Sequence, residues 1–112
     1  MESFQTLWKL SRHPTAIIAM SDIIAIGVIK AANTAGLHVP QDLSVVGFDD
    51  ITMASLIHPA LTTVAQPSRE KGEIATRLLV KLIEANAKPV HQMLPTRLIE
   101  RNSVCPPRRE EP

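Results

Sequence analysis

Two short polar pairs, each placed directly after an apolar run, are the residues of this sequence best suited to chemistry. Ser21-Asp22 follows TAIIAM, and Asp49-Asp50 follows LSVVGF. An ionised aspartate accepts two or more hydrogen bonds from the hydroxyl groups of a polyhydroxylated molecule. If both runs are neighbouring parallel strands, about 5 Å apart, their carboxyl ends meet at the edge of the sheet where ligands bind in open α/β folds. The pattern therefore predicts a site for a small, sugar-like ligand.

A structural role is the alternative for part of this set. An aspartate directly before a helix is usually its N-cap, which describes both Asp22 and Asp50. Asp49 fits that role less well, because it ends the strand and leaves the second acid available for capping. Asp49 is therefore the leading candidate for a ligand contact.

The other reactive side chains do not assemble a site. The four histidines stand singly, three of them beside a turn or a proline, which is typical of solvated loop residues rather than metal ligands. Cys105 has no neighbouring histidine, and Ser68 begins a helix, so neither is expected to be a nucleophile. Near the end of the chain, glutamates offset the arginines, which argues against a nucleic-acid patch. With no glycine-rich phosphate loop and no nucleophile–base pair, we expect no catalytic residue, no metal, no cofactor and no enzyme activity.

Apolar periodicity predicts the elements that position the two polar pairs. Strands are expected at 15–20, 43–48, 61–65 and 93–100, and helices at 2–13, 23–35, 51–57 and 68–85. Gly36 and Asn86 stand where left-handed C-caps belong. The first two strands are apolar enough to be buried on both faces. Strand–helix–strand repeats predict parallel pairing, and hence an α/β fold in which a parallel sheet lies in a three-layer sandwich, with the strand order left open.

Composition sets the limits for the whole chain. With 112 residues and 45% apolar content, it is one globular domain at most. A net charge of +1 gives no general attraction to nucleic acid or to anionic membranes, and one cysteine excludes an internal disulfide. No apolar run approaches the roughly 20 residues of a membrane helix, and no signal peptide opens the chain. We expect a cytoplasmic protein without a membrane partner.

Four segments together resemble one protein family. They are PTAIIAMSD (14–22), AIGVIKAANTAGLHVPQDLSVVGFDD (25–50), LTTVAQPSREKGEIATRLL (61–79) and LPTRLIERNS (94–103). Their order and spacing are similar to the end of LacI/GalR transcriptional regulators. The resemblance implies the C-terminal portion of an effector-binding and dimerisation domain of the periplasmic-binding-protein-like type I fold over 1–104, followed by a polar tail at 105–112.

The resemblance also assigns roles to residues. It implies that Asp49 binds the effector, that Ser21 faces it where the family more often has Asn, and that Gln66 lies near the crossover between lobes. Asp22 joins this set at the same edge. The implied dimer face consists of residues from the 23–35 helix and the 51–57 turn: Ile26, Lys30, Met53, Leu56 and Ile57. A core role is the alternative for Ile26.

Two functions follow as hypotheses. The first is a fragment of a LacI/GalR-type regulator, which carries part of a sugar-type effector cleft and a dimer face but no helix-turn-helix, and which does not bind DNA alone. The second is a standalone small-ligand or protein-binding module that pairs with an intact regulator. Both imply a small-molecule effector and a homo-oligomer or heterodimer. The resemblance further implies that the 68–85 helix packs on a lobe outside this sequence, which would leave its apolar stripe uncovered.

Overall fold

Helices and strands alternate along the chain. The computed structural model describes residues 2–10, 13–86 and 88–107. The strands are β1 (Ala16–Ile18), β2 (Ser44–Asp49), β3 (Thr62–Ala65) and β4 (Arg97–Ile99). The helices are α1 (Glu2–Trp8), α2 (Asp22–Thr34), α3 (Thr52–Leu56) and α4 (Ser68–Ala85).

The four strands form one sheet in the order β1-β2-β3-β4. The first three are parallel, with Ile18 opposite Val46 and Asp49 opposite Ala65, and β4 runs antiparallel to β3. β4 is antiparallel because the segment that contains α4 leaves from the carboxyl end of β3 and returns to that same edge. The expected α/β class with a mainly parallel sheet is confirmed.

The core lies between α2 and one face of the sheet. Ala25, Ile29 and Ala32 of α2 are buried together with Val45 and Leu61. The opposite face is open, since Ile18 on β1 is 82% exposed and Leu98 on β4 is 54% exposed. The described residues therefore supply a helical layer on one face only, rather than both outer layers of a three-layer sandwich.

Several predicted bounds need correction. The expected burial of the first strand on both faces is wrong, because β1 is an edge strand with Ala16 and Ile18 exposed. α1 ends at Trp8 rather than at residue 13, although the Trp8 and His13 rings stack at 4.6 Å. β4 covers three residues instead of 93–100, because β3 offers partners only from Thr63 to Ala65.

Helix ends follow the sequence closely. Gly36, just after α2, has φ 77°, and Asn86, just after α4, has φ 47°. Both are left-handed, as predicted from residue types that tolerate positive φ. The bounds of α4 agree with the predicted 68–85 helix.

α4 extends away from the sheet. No residue of α4 is buried, and Leu79 and Ile83 are 56% and 74% exposed. The radius of gyration is 18.6 Å, with extents of 65 × 26 × 26 Å, whereas a compact domain of this length has about 13 Å. The predicted apolar stripe of α4 contains no buried residue, since Ile83 is exposed and the other three are half-buried: Ile74, Leu78 and Leu82. Among those same residues, none of the helices combines the length and apolarity that a membrane crossing requires.

Candidate functional site

The two polar pairs meet at the carboxyl edge of the sheet, as predicted. β1 and β2 are parallel neighbours, and the Ala19 amide continues their ladder by donating to the Val46 carbonyl at 2.8 Å. Ser21 follows β1 and Asp49 ends β2. Gln66 directly follows Ala65, the β3 residue opposite Asp49. Three successive strand ends therefore present Ser21, Asp49 and Gln66 at one edge.

Asp49 is held in an unusual backbone conformation. Its φ is 119°, a region that side-chain-bearing residues rarely adopt and that costs on the order of 1–3 kcal/mol. Its side chain is half-buried, and Oδ1 accepts a 2.5 Å hydrogen bond from Gln66 Nε2. Oδ2 has no donor among the residues that the structure describes. Asp49 therefore offers one carboxylate oxygen to a ligand, and backbone strain of this kind is typical of functional sites.

Lys71 extends this arrangement onto α4. Its Nζ donates to Gln66 Oε1 at 2.7 Å, so that Lys71, Gln66 and Asp49 form a hydrogen-bonded row. Sequence reasoning assigned Lys71 only to the start of a helix. A signal was available, because Lys71 lies in the first turn of the helix that begins at the same strand end as Gln66.

Asp22 serves the fold rather than a ligand in this conformation. It is fully buried, Oδ1 accepts from Thr63 Oγ1 at 2.5 Å, and Oδ2 accepts from the Ile51 amide at 2.9 Å. Its assignment as an effector contact is corrected for this reason. The N-cap alternative is also wrong for Asp22, because Ser21 is the N-cap of α2 and accepts from the Ile24 amide at 3.4 Å.

Gly47 makes the buried position of Asp22 possible. A Cβ at Gly47 would overlap Asp22 Oδ1 and would lie 2.9 Å from Leu61 Cδ2. The glycine of the VVGFDD segment is therefore required by the close approach of α2 to β2.

Asp50 also turns into the protein. It has φ 55°, and Oδ1 accepts from Arg101 NH2 at 2.7 Å, with both side chains less than a third exposed. Arg101 NH1 donates to the Leu61 carbonyl at 2.9 Å, so one guanidinium ties two segments together. The N-cap prediction is wrong for Asp50, since the N-cap of α3 is Ile51, without a side-chain hydrogen bond. Sequence reasoning missed Arg101 and counted it with the basic residues near the end of the chain.

The residues expected at a dimer face lie on adjoining parts of α2 and α3. Ile26, Lys30 and Ile57 line one shallow cleft. Met53 and Leu56 are 51% and 72% exposed on α3. Ile26 is half-buried and packs partly against the core, so both roles considered for it are compatible with its position.

The histidines and the cysteine do not assemble a site among the described residues. There, no group of three or more histidine, cysteine or acidic side chains could hold a metal ion. Cys105 Sγ donates to the Pro40 carbonyl at 3.1 Å, and His38 contacts Asp42 at 3.3 Å. Residues 108–112, which include most of the predicted tail, lie outside the described part of the chain.

Comparison with known proteins places this geometry in a family. Residues 1–104 match the periplasmic binding protein-like domain. The chain is 43% identical over 102 residues to the HTH-type transcriptional regulator MalR of Clostridium butyricum, which covers 91% of this chain and 30% of that protein. The chain thus spans about a third of the length of the curated relatives it matches.

Solved structures agree in fold. A LacI family transcriptional regulator from Enterococcus faecium with bound ribose superposes with a TM-score of 0.82 at 32% identity, covering 96% of this chain and 40% of that one. A dimeric Lac repressor superposes with a TM-score of 0.83 at 32% identity, covering 96% and 39%. The relatives are transcriptional regulators. This chain therefore belongs to the periplasmic binding protein-like domain family, in the form found in LacI family regulators.

Proposed function

We propose that this chain contributes one side of the effector cleft and part of the dimer face of a LacI-type transcriptional regulator. The observation that carries the proposal is Asp49, whose strained backbone and unengaged Oδ2 lie at the carboxyl edge of a parallel sheet. Ser21 and Gln66, at the neighbouring strand ends, complete the proposed contacts.

The effector class follows from the chemistry of this edge. A carboxylate oxygen accepts a hydrogen bond from a hydroxyl group, and the Gln66 amide and Ser21 hydroxyl can donate to or accept from a neighbouring hydroxyl. This combination suits a polyhydroxylated small molecule, and one structural relative holds ribose. Among the described residues of this edge, none is arranged as a nucleophile with a base, which favours binding without catalysis.

The α2–α3 surface is the proposed dimer face, with a second copy or a related regulator as its partner. Its exposed apolar residues Met53 and Leu56 beside Ile26 and Ile57 support this assignment. As a part of a regulator, the chain is expected to work in the cytoplasm, where the DNA is. The 112-residue chain, with a net charge of +1, is expected not to recognise an operator alone. A salt-resistant gel shift on one operator, with nonspecific competitor present, would contradict that expectation.

The effector proposal is tested with D-ribose and Asp49→Asn, followed by two-dimensional NMR because one side of a cleft binds weakly. We expect millimolar binding, with shifts at residues 21, 49 and 66. The asparagine variant should lose about ten- to a hundredfold in affinity, as expected for a charge-assisted hydrogen bond. Glu84→Gln, on the exposed end of α4, is the matched control and should bind as the natural chain does. Ribose binding that Asp49→Asn leaves unchanged would overturn the assignment of Asp49.

A further inference from the structure

We propose that Lys71 is a positioning residue of the effector site, which holds the Gln66 side chain so that Asp49 keeps one oxygen free for the ligand. The inference rests on the proposed function of Asp49. It goes beyond that function because it assigns a role to a residue on α4, outside the strand ends that form the cleft edge.

The orientation of the Gln66 amide is determined by its two neighbours. A lysine ammonium can only donate, and an ionised carboxylate can only accept. Gln66 must therefore direct Oε1 to Lys71 Nζ, at 2.7 Å, and Nε2 to Asp49 Oδ1, at 2.5 Å. The chemistry of the two neighbours therefore assigns the amide oxygen and nitrogen of Gln66.

Each neighbour makes a different contribution. Asp49 selects which amide atom faces it, but it leaves the aliphatic torsions of Gln66 free. Lys71 holds the other end of the amide and so fixes the rotamer. α4 itself is anchored at this point, because the Ser68 amide donates to the Gln66 carbonyl and the Lys71 amide donates to the Pro67 carbonyl, both at 2.8 Å.

The charge of Lys71 is available for this role. Two charged residues close to it on the helix, Arg69 and Glu73, pair with each other at 3.0 Å. Lys71 has no ion-pair partner among the residues that the structure describes. Its bond to the Gln66 amide oxygen is therefore the interaction that directs its side chain back over the start of α4 to the strand end.

The result is a defined pattern of donors and acceptors. Asp49 Oδ2 accepts, and the second N–H of Gln66 donates. A vicinal diol matches this pattern, since one hydroxyl donates to Asp49 while its neighbour accepts from Gln66. A disordered Gln66 would compete for Asp49 Oδ2 and weaken the site.

The experiment compares Lys71→Met and Lys71→Arg with Lys81→Met, the matched control that removes the same charge from an exposed position on α4. The first readout is the pair of Gln66 side-chain amide signals in a nitrogen–proton NMR spectrum, and the second is the D-ribose titration. We expect Lys71→Met to move the Gln66 signals to the position of free amides and to weaken ribose binding about two- to fivefold, as suits an exposed charged contact. Lys71→Arg should preserve both readouts, and Lys81→Met should change neither.

The two proposals fail in different ways. Gln66 amide signals that are the same in Lys71→Met and in the natural chain would overturn the positioning role of Lys71. The same follows if Lys81→Met weakens ribose binding as much as Lys71→Met does. The amide readout needs no ligand, so ribose that binds to none of the variants would count against the effector role of Asp49 and leave the test of Lys71 intact.

Discussion

Replacing Asp22 by alanine should destabilise the chain severely, although Asp22 adjoins the proposed ligand edge. Asp22 lies at the start of α2 and connects two distant segments through Thr63 and the Ile51 amide. The substitution removes both acceptor oxygens and leaves a hydroxyl and an amide N–H without a partner in the interior.

The magnitude follows from those two contacts. A hydrogen bond to a charged group contributes about 1.5–3 kcal/mol, so that the loss of two lowers the free energy of unfolding by about 3–6 kcal/mol. A whole domain has about 5–15 kcal/mol, and Asp22→Ala can therefore fail to fold. Asp22→Asn should cost less, because its amide oxygen still accepts from the Ile51 amide while its nitrogen can donate to Thr63 Oγ1.

Urea unfolding followed by far-UV circular dichroism measures this series. The double variant Asp22→Ala, Thr63→Val should be less destabilised than the sum of its two single variants, because valine removes one orphaned donor. Equal urea midpoints for the natural chain, Asp22→Asn and Asp22→Ala would refute the reasoning, since the two hydrogen bonds of the buried carboxylate would then not contribute to stability.

The remaining predictions concern other contacts of the fold. Gly47→Ala should lower the urea midpoint as strongly as Asp22→Asn or more, because its Cβ overlaps Asp22 Oδ1; an unchanged midpoint would show that α2 can move away without cost. Arg101→Leu should lower the free energy of unfolding by about 1–3 kcal/mol, while Arg97→Leu, at a more exposed position, should not. Equal unfolding curves for the two variants would show that the contacts of Arg101 with Asp50 and the Leu61 carbonyl do not stabilise the fold. The pair Leu79→Lys and Ile83→Lys should increase the monomer fraction in sedimentation velocity, since both side chains are more than half exposed on α4; a natural chain that is already a concentration-independent monomer would contradict this.

Helix bounds and helix ends could be predicted because they depend on residues close together in the sequence. α4 has apolar residues at helical spacing over 18 residues and an asparagine that tolerates left-handed φ at its end, and its bounds came out as expected. The left-handed conformation of Gly36 was predicted in the same way, from a residue type that tolerates positive φ. The edge position of β1 could not be predicted, because AIIAM is equally suited to a central strand, and its exposure depends on what packs against it.

The roles of individual polar residues depended on long-range partners. Asp22 bonds to residues 29 and 41 positions away, and Asp50 to a residue 51 positions away. Local sequence offered helix capping as the structural role for both aspartates, and the fold used them for tertiary contacts instead. For Lys71, the partner is five positions away, which shows that even near neighbours need the turn geometry before they can be paired.

In both polar pairs, the two residues have different roles. In each pair the second residue is turned into the protein, since Asp22 contacts Thr63 and Asp50 contacts Arg101. The first residue of each pair stays at the edge, since Ser21 and Asp49 are half-buried. A conformation such as the positive φ of Asp49 persists only where the surrounding structure holds it, and the inward contacts of Asp22 and Asp50 are the neighbouring interactions that can do so. A ligand that binds Asp49 would therefore meet a carboxylate that the Gln66 amide already holds, so that less ordering remains to be done on binding.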